Sequence, residues 1–404
     1  MIQVAILGCG TVGSGVYEVL SMNHDSIAGK AEDTLEVKYI LDRKDFSGTP
    51  LAGKVVRDFS IIENDPDVAI VCETMGGVDP AFDYSARALK KGKHVVTSNK
   101  ELVATHGAEL LELARQNNVN YLFEASVGGG IPILRPMMQC LSANEVSEVC
   151  GILNGTTNYI LTRMIRAGLS FEDALKEAQQ KGYAEANPAA DVEGHDAARK
   201  TCILASLVLG KHVYPDAVAV EGITGISLDD VTFASSMDKV IKLLGRVVRQ
   251  EGKVFAFVSP HLIDKSHPLA GVEDVFNAIL VDGNAVGQVM FYGAGAGKLP
   301  TASAVVADVI DCARHLHLNR FAGWQDSKEN LITPAGEFVC SYYVRFAAAD
   351  AAAVTAALAP CQTVECPQAP AGQAALVTEP LSGADMAEKL AALGGKALSC
   401  IRIL

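Results

Sequence analysis

The stretch Val4-Ala5-Ile6-Leu7-Gly8-Cys9-Gly10-Thr11-Val12-Gly13 is an apolar run followed at once by the pattern G-x-G-x-x-G. Gly8 permits a tight turn out of a strand, Gly10 lets the backbone approach a pyrophosphate, and Gly13 allows a helix to pack closely on that strand. The helix opening at Thr11 and Val12 would offer unpaired N–H donors to the anion. The pattern alone is weak, but here it has its context, because a second apolar run ends at Asp42, where an acid would hold a ribose hydroxyl pair. Arg43 and Lys44 follow immediately and would instead accept a 2′-phosphate. A nicotinamide dinucleotide, NADP or NAD, is the expected cofactor.

Working outward from the loop, Val4–Leu7, Val37–Leu41, Val68–Cys72, His94–Thr97 and Asn120–Glu124 read as strands bounded by Gly, Asp or Pro, with a helical pattern at Ala108–Gln116. Continuous apolar runs of this kind suit a buried parallel sheet with crossover helices. A Rossmann-type domain is expected over residues 1–125, completed by a helix within 301–320. From Gly128-Gly129-Gly130 onward the texture changes to α+β, expected over 126–300. Asn154 or Thr156 caps a helix running to Ala167, Ser170 starts another that Gly182 ends, and Asp196–Leu209 is a third. Asp282-Gly283 between Asn277–Val281 and Val286–Tyr292 signals a hairpin. After a linker at Thr333–Gly336, residues 336–404 read strand, helix, strand, strand, helix, strand, the βαββαβ order of a ferredoxin-like domain. The fold class is α/β.

The chain has 404 residues, 49% apolar and 20% charged, which suits two or three globular domains. A net charge of −13, from 34 basic and 47 acidic residues, argues against a nucleic-acid partner. No apolar run reaches the ~20 residues of a membrane span, and the N-terminus enters a strand without a signal peptide's charged flank. Ten cysteines without a C-x-x-C pair suggest neither zinc nor a disulfide framework, so a reducing cytoplasm is the expected setting.

Residues 181–200, KGYAEANPAADVEGHDAARK, place Asp196 and Lys200 four apart on one helix face. Such pairs are common on exposed helices. This one opens an otherwise apolar helix behind a Gly/Pro/acid-rich loop, which suggests a pocket. The segment resembles the homoserine dehydrogenase family, as do SNKELVATHG (98–107), EASVGGGIP (124–132), NGTTNYI (154–160) and GAGAGKLPTASAVVAD (293–308). The resemblance covers about residues 1–320. It implies reversible NAD(P)H-dependent reduction of L-aspartate 4-semialdehyde to L-homoserine, in threonine, methionine and isoleucine biosynthesis. It also implies Lys200 as general acid/base, with Asp196 orienting it and Lys100 beside nicotinamide and substrate. By the same resemblance Glu185, Gly155, Thr156, Tyr183, Asp191 and Asp196 bind substrate, while Thr74, Ser98, Gly182 and Gly297 approach the cofactor.

The family's monovalent-cation loop matches Glu124 and the carbonyls of Val127, Gly129 and Ile131, implying a structural sodium ion. The C-terminal unit resembles an ACT domain, a module that binds amino acids in feedback-regulated enzymes. The Asp-x-Pro-Gly turn of its first loop is replaced by Asp350-Ala351-Ala352-Ala353, so a weakened or lost effector site is expected. The family also implies a homodimer or homotetramer, and no kinase-like segment precedes residue 1, so a monofunctional enzyme is expected. An aspartate-semialdehyde dehydrogenase would need a thiol nucleophile with a base, and no cysteine lies in residues 185–200. A non-catalytic sensor would need no proton donor at Lys200.

Overall fold

The computed structural model describes residues 1–320, 323–327 and 329–404. The chain divides into two compact units: Met1–Asn144 with Cys202–Pro215 and Gly293–Glu329, and Glu145–Thr201 with Asp216–Tyr292 and Asn330–Leu404.

The first unit is built on six parallel strands: β1 (Ile2–Leu7), β2 (Leu35–Leu41), β3 (Val55–Val56), β4 (Val68–Glu73), β5 (His94–Thr97) and β6 (Tyr121–Leu122). Their order, β3-β2-β1-β4-β5-β6, is that of a Rossmann-type sheet, whose ligand crevice lies at the carboxyl ends where the winding reverses, here between β1 and β4. Val4, Ile6, Ile70 and Val71 are wholly buried, each contributing roughly 1.5–3 kcal/mol. The helix Thr11–Met22 lies against Lys298–Arg314, and Gly15 makes this approach possible: a Cβ there would stand 2.7 Å from the Lys298 carbonyl. Val16 and Leu20 share a core with Ala302, Val305 and Val309. β6 is shorter than the sequence suggests, because Glu124 already begins the turn into the helix Ala125–Gly128.

The second unit carries β7 (Val146–Ile152), β8 (Ala219–Val220), β9 (Lys239–Gln250), β10 (Lys253–Asp264), β11 (Phe276–Gly283) and β12 (Gly287–Ala294, to Tyr292 in this unit). Two more short strands, β13 (Val339–Cys340) and β17 (Leu381–Ser382), pair with each other, while β14 (Tyr342–Ala347), β15 (Cys361–Thr363), β16 (Gln373–Thr378) and β18 (Ala397–Ile403) continue the large sheet. Its order is β12-β11-β7-β9-β10-β18-β14-β16-β15, with β8 beside β10. The longest elements, β9 and β10, form a hairpin of twelve paired positions closed by Glu251 (φ 51°) and Gly252 (φ 78°). The other hairpin turns later than the sequence suggests: Asp282 and Gly283 belong to β11, and residues 284–286 make the turn.

The last residues run β14, helix Ala351–Leu358, β15, β16, helix Gly383–Ala392, β18, a βαββαβ unit whose strands are antiparallel in the order β18-β14-β16-β15. β18 also pairs in parallel with β10, His261 opposite Arg402 and Leu262 opposite Ile403, so this segment shares a sheet with the residues before it. A buried charge cluster reinforces the junction. Arg345 Nε donates to Asp230 Oδ1 at 2.8 Å, Nη1 to Gln373 Oε1 at 2.6 Å and Nη2 to Ser227 Oγ at 3.0 Å. Asp230 also closes a capping box with Ser227 at the start of the helix Leu228–Ser236. Among the described residues no helix is long and apolar enough to cross a membrane.

Candidate active-site residues

In the first unit the glycine loop is built as its spacing demands. Gly8 has φ +88°, and a Cβ on Gly13 would stand 1.9 Å from the Gly8 carbonyl oxygen and 2.7 Å from Thr74 Oγ1. A Cβ on Gly10 would meet nothing within 4 Å, which leaves that side of the loop open. No side chain caps the helix that starts at Thr11, so its first N–H groups, with those of Val12 and Gly13, face an anion site at the positive end of the helix. The loop therefore fits a pyrophosphate. Thr74 braces it, its hydroxyl reaching the carbonyls of Gly8 (2.7 Å) and Leu7 (3.0 Å).

Asp42 sits at the end of β2, its carboxylate accepting from the amides of Cys9 at 2.6 Å and Lys44 at 2.8 Å. Burial works to raise its pKa, but the amides of Lys44 and Cys9 outweigh it and hold the carboxyl below its usual value. Arg43 and Lys44 are exposed beside it, and Arg57 donates to the Asp42 carbonyl at 2.6 Å. Arg57 has no signal in the sequence, because it reaches Asp42 from the end of the neighbouring strand β3, 15 residues along the chain.

Ser98 leads from β5 into Asn99, whose side-chain oxygen caps the helix Lys100–Gln116 by accepting from Leu102 N at 3.1 Å. Lys100 is thus the first helical residue, a cation at the positive end of a helix dipole. That placement is electrostatically unfavourable and invites a functional reading. Gly297, φ +127°, precedes the helix Lys298–Arg314.

The cation loop shows a different use for Glu124. Its carboxylate accepts from the amides of Ile133 (2.7 Å), Leu134 (2.8 Å) and Arg135 (2.8 Å). Three backbone amides thus hold the carboxylate in place at the start of the glycine-rich turn. Gly129 has φ +58°, and a Cβ there would stand 2.2 Å from the Gly295 oxygen, so only glycine lets these two turns approach.

In the second unit, the cap of helix Gly155–Ala167, the short helix Ala189–Val192 and the first turns of His195–Leu209 bring four polar side chains together. Lys200 Nζ donates to Asp196 Oδ2 at 2.9 Å and to the Leu153 carbonyl at 2.7 Å. Asn154 caps its own helix through its side-chain oxygen, which accepts from Thr157 N, and its amide nitrogen donates to Asp196 (2.9 Å) and Asp191 (2.7 Å). Lys200 and Asp196 are 8% and 7% exposed, so this is a partly desolvated pair and not a surface one. Asp191 has a raised pKa, mainly through burial, with Asn154 opposing and the Asp196 charge adding. Asn154 reads in sequence only as a cap. Its spare amide, the hub of the cluster, has no sequence signal.

Around this cluster Gly155 lies close under Val275, where a Cβ would stand 2.7 Å from the carbonyl oxygen. Thr156 Oγ1 donates to the Tyr183 carbonyl at 2.7 Å, and the half-exposed Tyr183 ring packs edge-on against Tyr159. Gly182, φ +75°, ends the preceding helical segment, and the exposed Glu185 is held through its carbonyl by Gln179.

An anion loop on a parallel sheet and a desolvated lysine held by an aspartate belong to an NAD(P)-dependent oxidoreductase acting on a CH–OH group. Comparison with known proteins narrows the class. The homoserine dehydrogenase family model matches residues 132–310, and the homoserine dehydrogenase NAD-binding domain model matches residues 8–124. Homoserine dehydrogenase of Bacillus subtilis is 42% identical over 83% of this chain and 78% of its own length. A crystal structure of a homoserine dehydrogenase from Thiobacillus denitrificans superposes with a TM-score of 0.91 at 36% identity, covering 100% of this chain and 98% of that one. A hyperthermophilic archaeal homoserine dehydrogenase mutant in complex with NADPH matches with a TM-score of 0.65 at 27% identity, over 77% of this chain and 97% of that one. The chain belongs to the homoserine dehydrogenase family.

Proposed function

We propose that Lys200 is the proton donor in the reduction of L-aspartate 4-semialdehyde to L-homoserine, and the proton acceptor in reverse. The observation that carries this is the Lys200–Asp196–Asn154 cluster, which holds an ammonium on a buried helix face with two of its three N–H groups already satisfied. When bound, the reduced nicotinamide supplies the hydride. Lys200 meets the charge that then develops on the carbonyl oxygen and delivers a proton to it. Asp196 fixes the ammonium and, with Asp191, presents negative charge to the substrate's amine. Glu185 takes the same amine in a charge-assisted contact. Gly155, Thr156 and Tyr183 line the surroundings of Lys200 within the same unit, and the family resemblance assigns Lys100 a supporting positive charge in the reaction. By the family resemblance Ser98, Gly182 and Gly297 are positions where the backbone comes close to the cofactor.

We further assign NADP as the preferred cofactor. Three cations, Arg43, Lys44 and Arg57, cluster at the end of β2, while the Asp42 carboxylate is occupied by two loop amides. Homoserine oxidation with NADP and NAD side by side tests this: a higher kcat/KM with NADP is expected, and a preference for NAD would overturn it. Sodium at Glu124 and the carbonyls of Val127, Gly129 and Ile131 is part of the same reading, with a structural role. So are cytoplasmic residence, in keeping with ten free thiols, and a homodimer or homotetramer, in keeping with the exposed Phe276, Met290 and Tyr292. The domain reading is 1–125 completed by a helix within 301–320, 126–300, and an ACT-like 336–404.

The ACT-like segment bears on regulation. Its first loop passes from a single turn at Ala348–Asp350 straight into the helix Ala351–Leu358, and Asp350 pairs with Lys396 at 3.4 Å. No glycine there frees backbone amides for a ligand. Threonine is expected to inhibit weakly or not at all, and a steep inhibition curve at sub-millimolar threonine would contradict this.

A further inference from the structure

The buried Glu73 at the carboxyl end of β4 has no part in the roles above. Its side chain is 0% exposed, with Oε1 accepting from Met75 N at 2.7 Å and Oε2 from Thr97 Oγ1 at 2.6 Å. Thr97 Oγ1 accepts in turn from Asn99 N at 2.9 Å. Asn99 caps the Lys100 helix with its oxygen and donates its amide to the Gly77 carbonyl at 2.6 Å. Thr74, next to Glu73, is bonded to the glycine loop. One short chain of hydrogen bonds therefore runs from the dinucleotide loop through residues 73–77 to the cap of the helix that begins with Lys100.

As placed, Glu73 serves as an acceptor at both of its side-chain oxygens. Met75 N–H and the Thr97 hydroxyl both donate to Glu73, while the Thr97 oxygen accepts from Asn99 N. An amide in place of the carboxylate would set an –NH2 against one of these donors. Burial pushes the Glu73 pKa up to about 7, against the opposing bonds from Thr97, Met75 and Asn99. A group so costly to ionise is poorly chosen as mere filling for a sheet end.

We propose that Glu73 is a positioning residue: through Thr97 and Asn99 it ties the Thr74–Gly77 loop to the first turn of the Lys100 helix and sets where the Lys100 ammonium is presented. The inference rests on the reading that Lys100 serves the reaction. The effect of Glu73 falls chiefly on kcat, because Thr74 keeps its own bonds to the Gly8 and Leu7 carbonyls.

The test compares Glu73→Gln, Thr97→Val and the double variant in homoserine oxidation, with direct titration of NADPH fluorescence as a second readout. Each single variant is expected to lose roughly 10- to 100-fold in kcat, the scale of a misplaced catalytic group. The double should lose no more than about threefold beyond the worse single, as members of one relay do, and NADPH affinity should stay within about threefold. Thr97→Val exchanges a hydroxyl for a methyl group and keeps the test alive where Glu73→Gln fails to fold. Tyr121→Phe, which removes a buried hydroxyl without a partner among the described residues, should leave kcat unchanged. Losses that multiply in the double variant alongside a matching fall in melting temperature would overturn the proposal, as would single variants with kcat within about twofold of the parent. Absence of turnover in the unsubstituted chain would instead defeat the functional reading, and this inference with it.

Discussion

Lys200→Ala is expected to lower kcat for homoserine oxidation by roughly 10²–10⁴-fold, the usual contribution of a positioned acid or base. Cofactor affinity should be nearly unchanged, because the pyrophosphate would be held by the loop of Gly8, Gly10 and Gly13 and not by Lys200. Lys200→Arg should not rescue the activity. A guanidinium releases no proton in the working range, and its planar fork does not fit a site where one nitrogen meets both the Asp196 carboxylate and the Leu153 carbonyl. Steady-state rates with stopped-flow titration of NADPH binding check both parts. A variant with kcat within tenfold of the parent would remove Lys200 from the proton-transfer step, leaving Lys100 as the residue to examine.

Arg345→Ala is expected to produce the largest loss of stability. The change leaves Asp230, 0% exposed, without its guanidinium partner, and uncovering one member of a buried pair costs about 3–5 kcal/mol. A fall in melting temperature on the order of 10 °C should follow. Combining Arg345→Met with Asp230→Leu should recover much of this, since apolar replacement of a whole buried pair is often neutral or better. A single variant that melts with the parent would show that the C-terminal strands hold to the helix Leu228–Ser236 by apolar contact alone. The expected result makes the segment a docked part of its unit, consistent with β18 extending the sheet from β10.

The parts legible in the sequence are those where one physical requirement leaves one residue type. The glycine loop is legible because its turn, approach and helix packing each exclude a Cβ. The helix starts at Asn154 and Ser170 are legible because a cap side chain must precede them, and both side chains accept the amide of the third helical residue. The hairpin β9–β10 was not legible. Its strands are buried along nearly their whole length, so no polar alternation marks them. Lys242, Arg246, Ser259 and His261 break their apolar runs although all four are buried. The turn Glu251-Gly252 carries a glutamate where the usual signal is asparagine or aspartate. In the site, Lys200 and Asp196 share a helix face by their i,i+4 spacing, which is local, while their roles come from the resemblance of residues 181–200 to the family. Asn154 and Glu73 act through partners as much as 42 residues away for Asn154 and 24 for Glu73, and no local pattern announces such contacts.

The central claim is that this chain moves a hydride from a nicotinamide to the aldehyde carbon of L-aspartate 4-semialdehyde. The direct test supplies the aldehyde with reduced cofactor deuterated at the transferring position and identifies the product by mass spectrometry and NMR. The account predicts L-homoserine carrying deuterium on the hydroxyl-bearing carbon. Homoserine without the label, or consumption of the cofactor without homoserine, would contradict it.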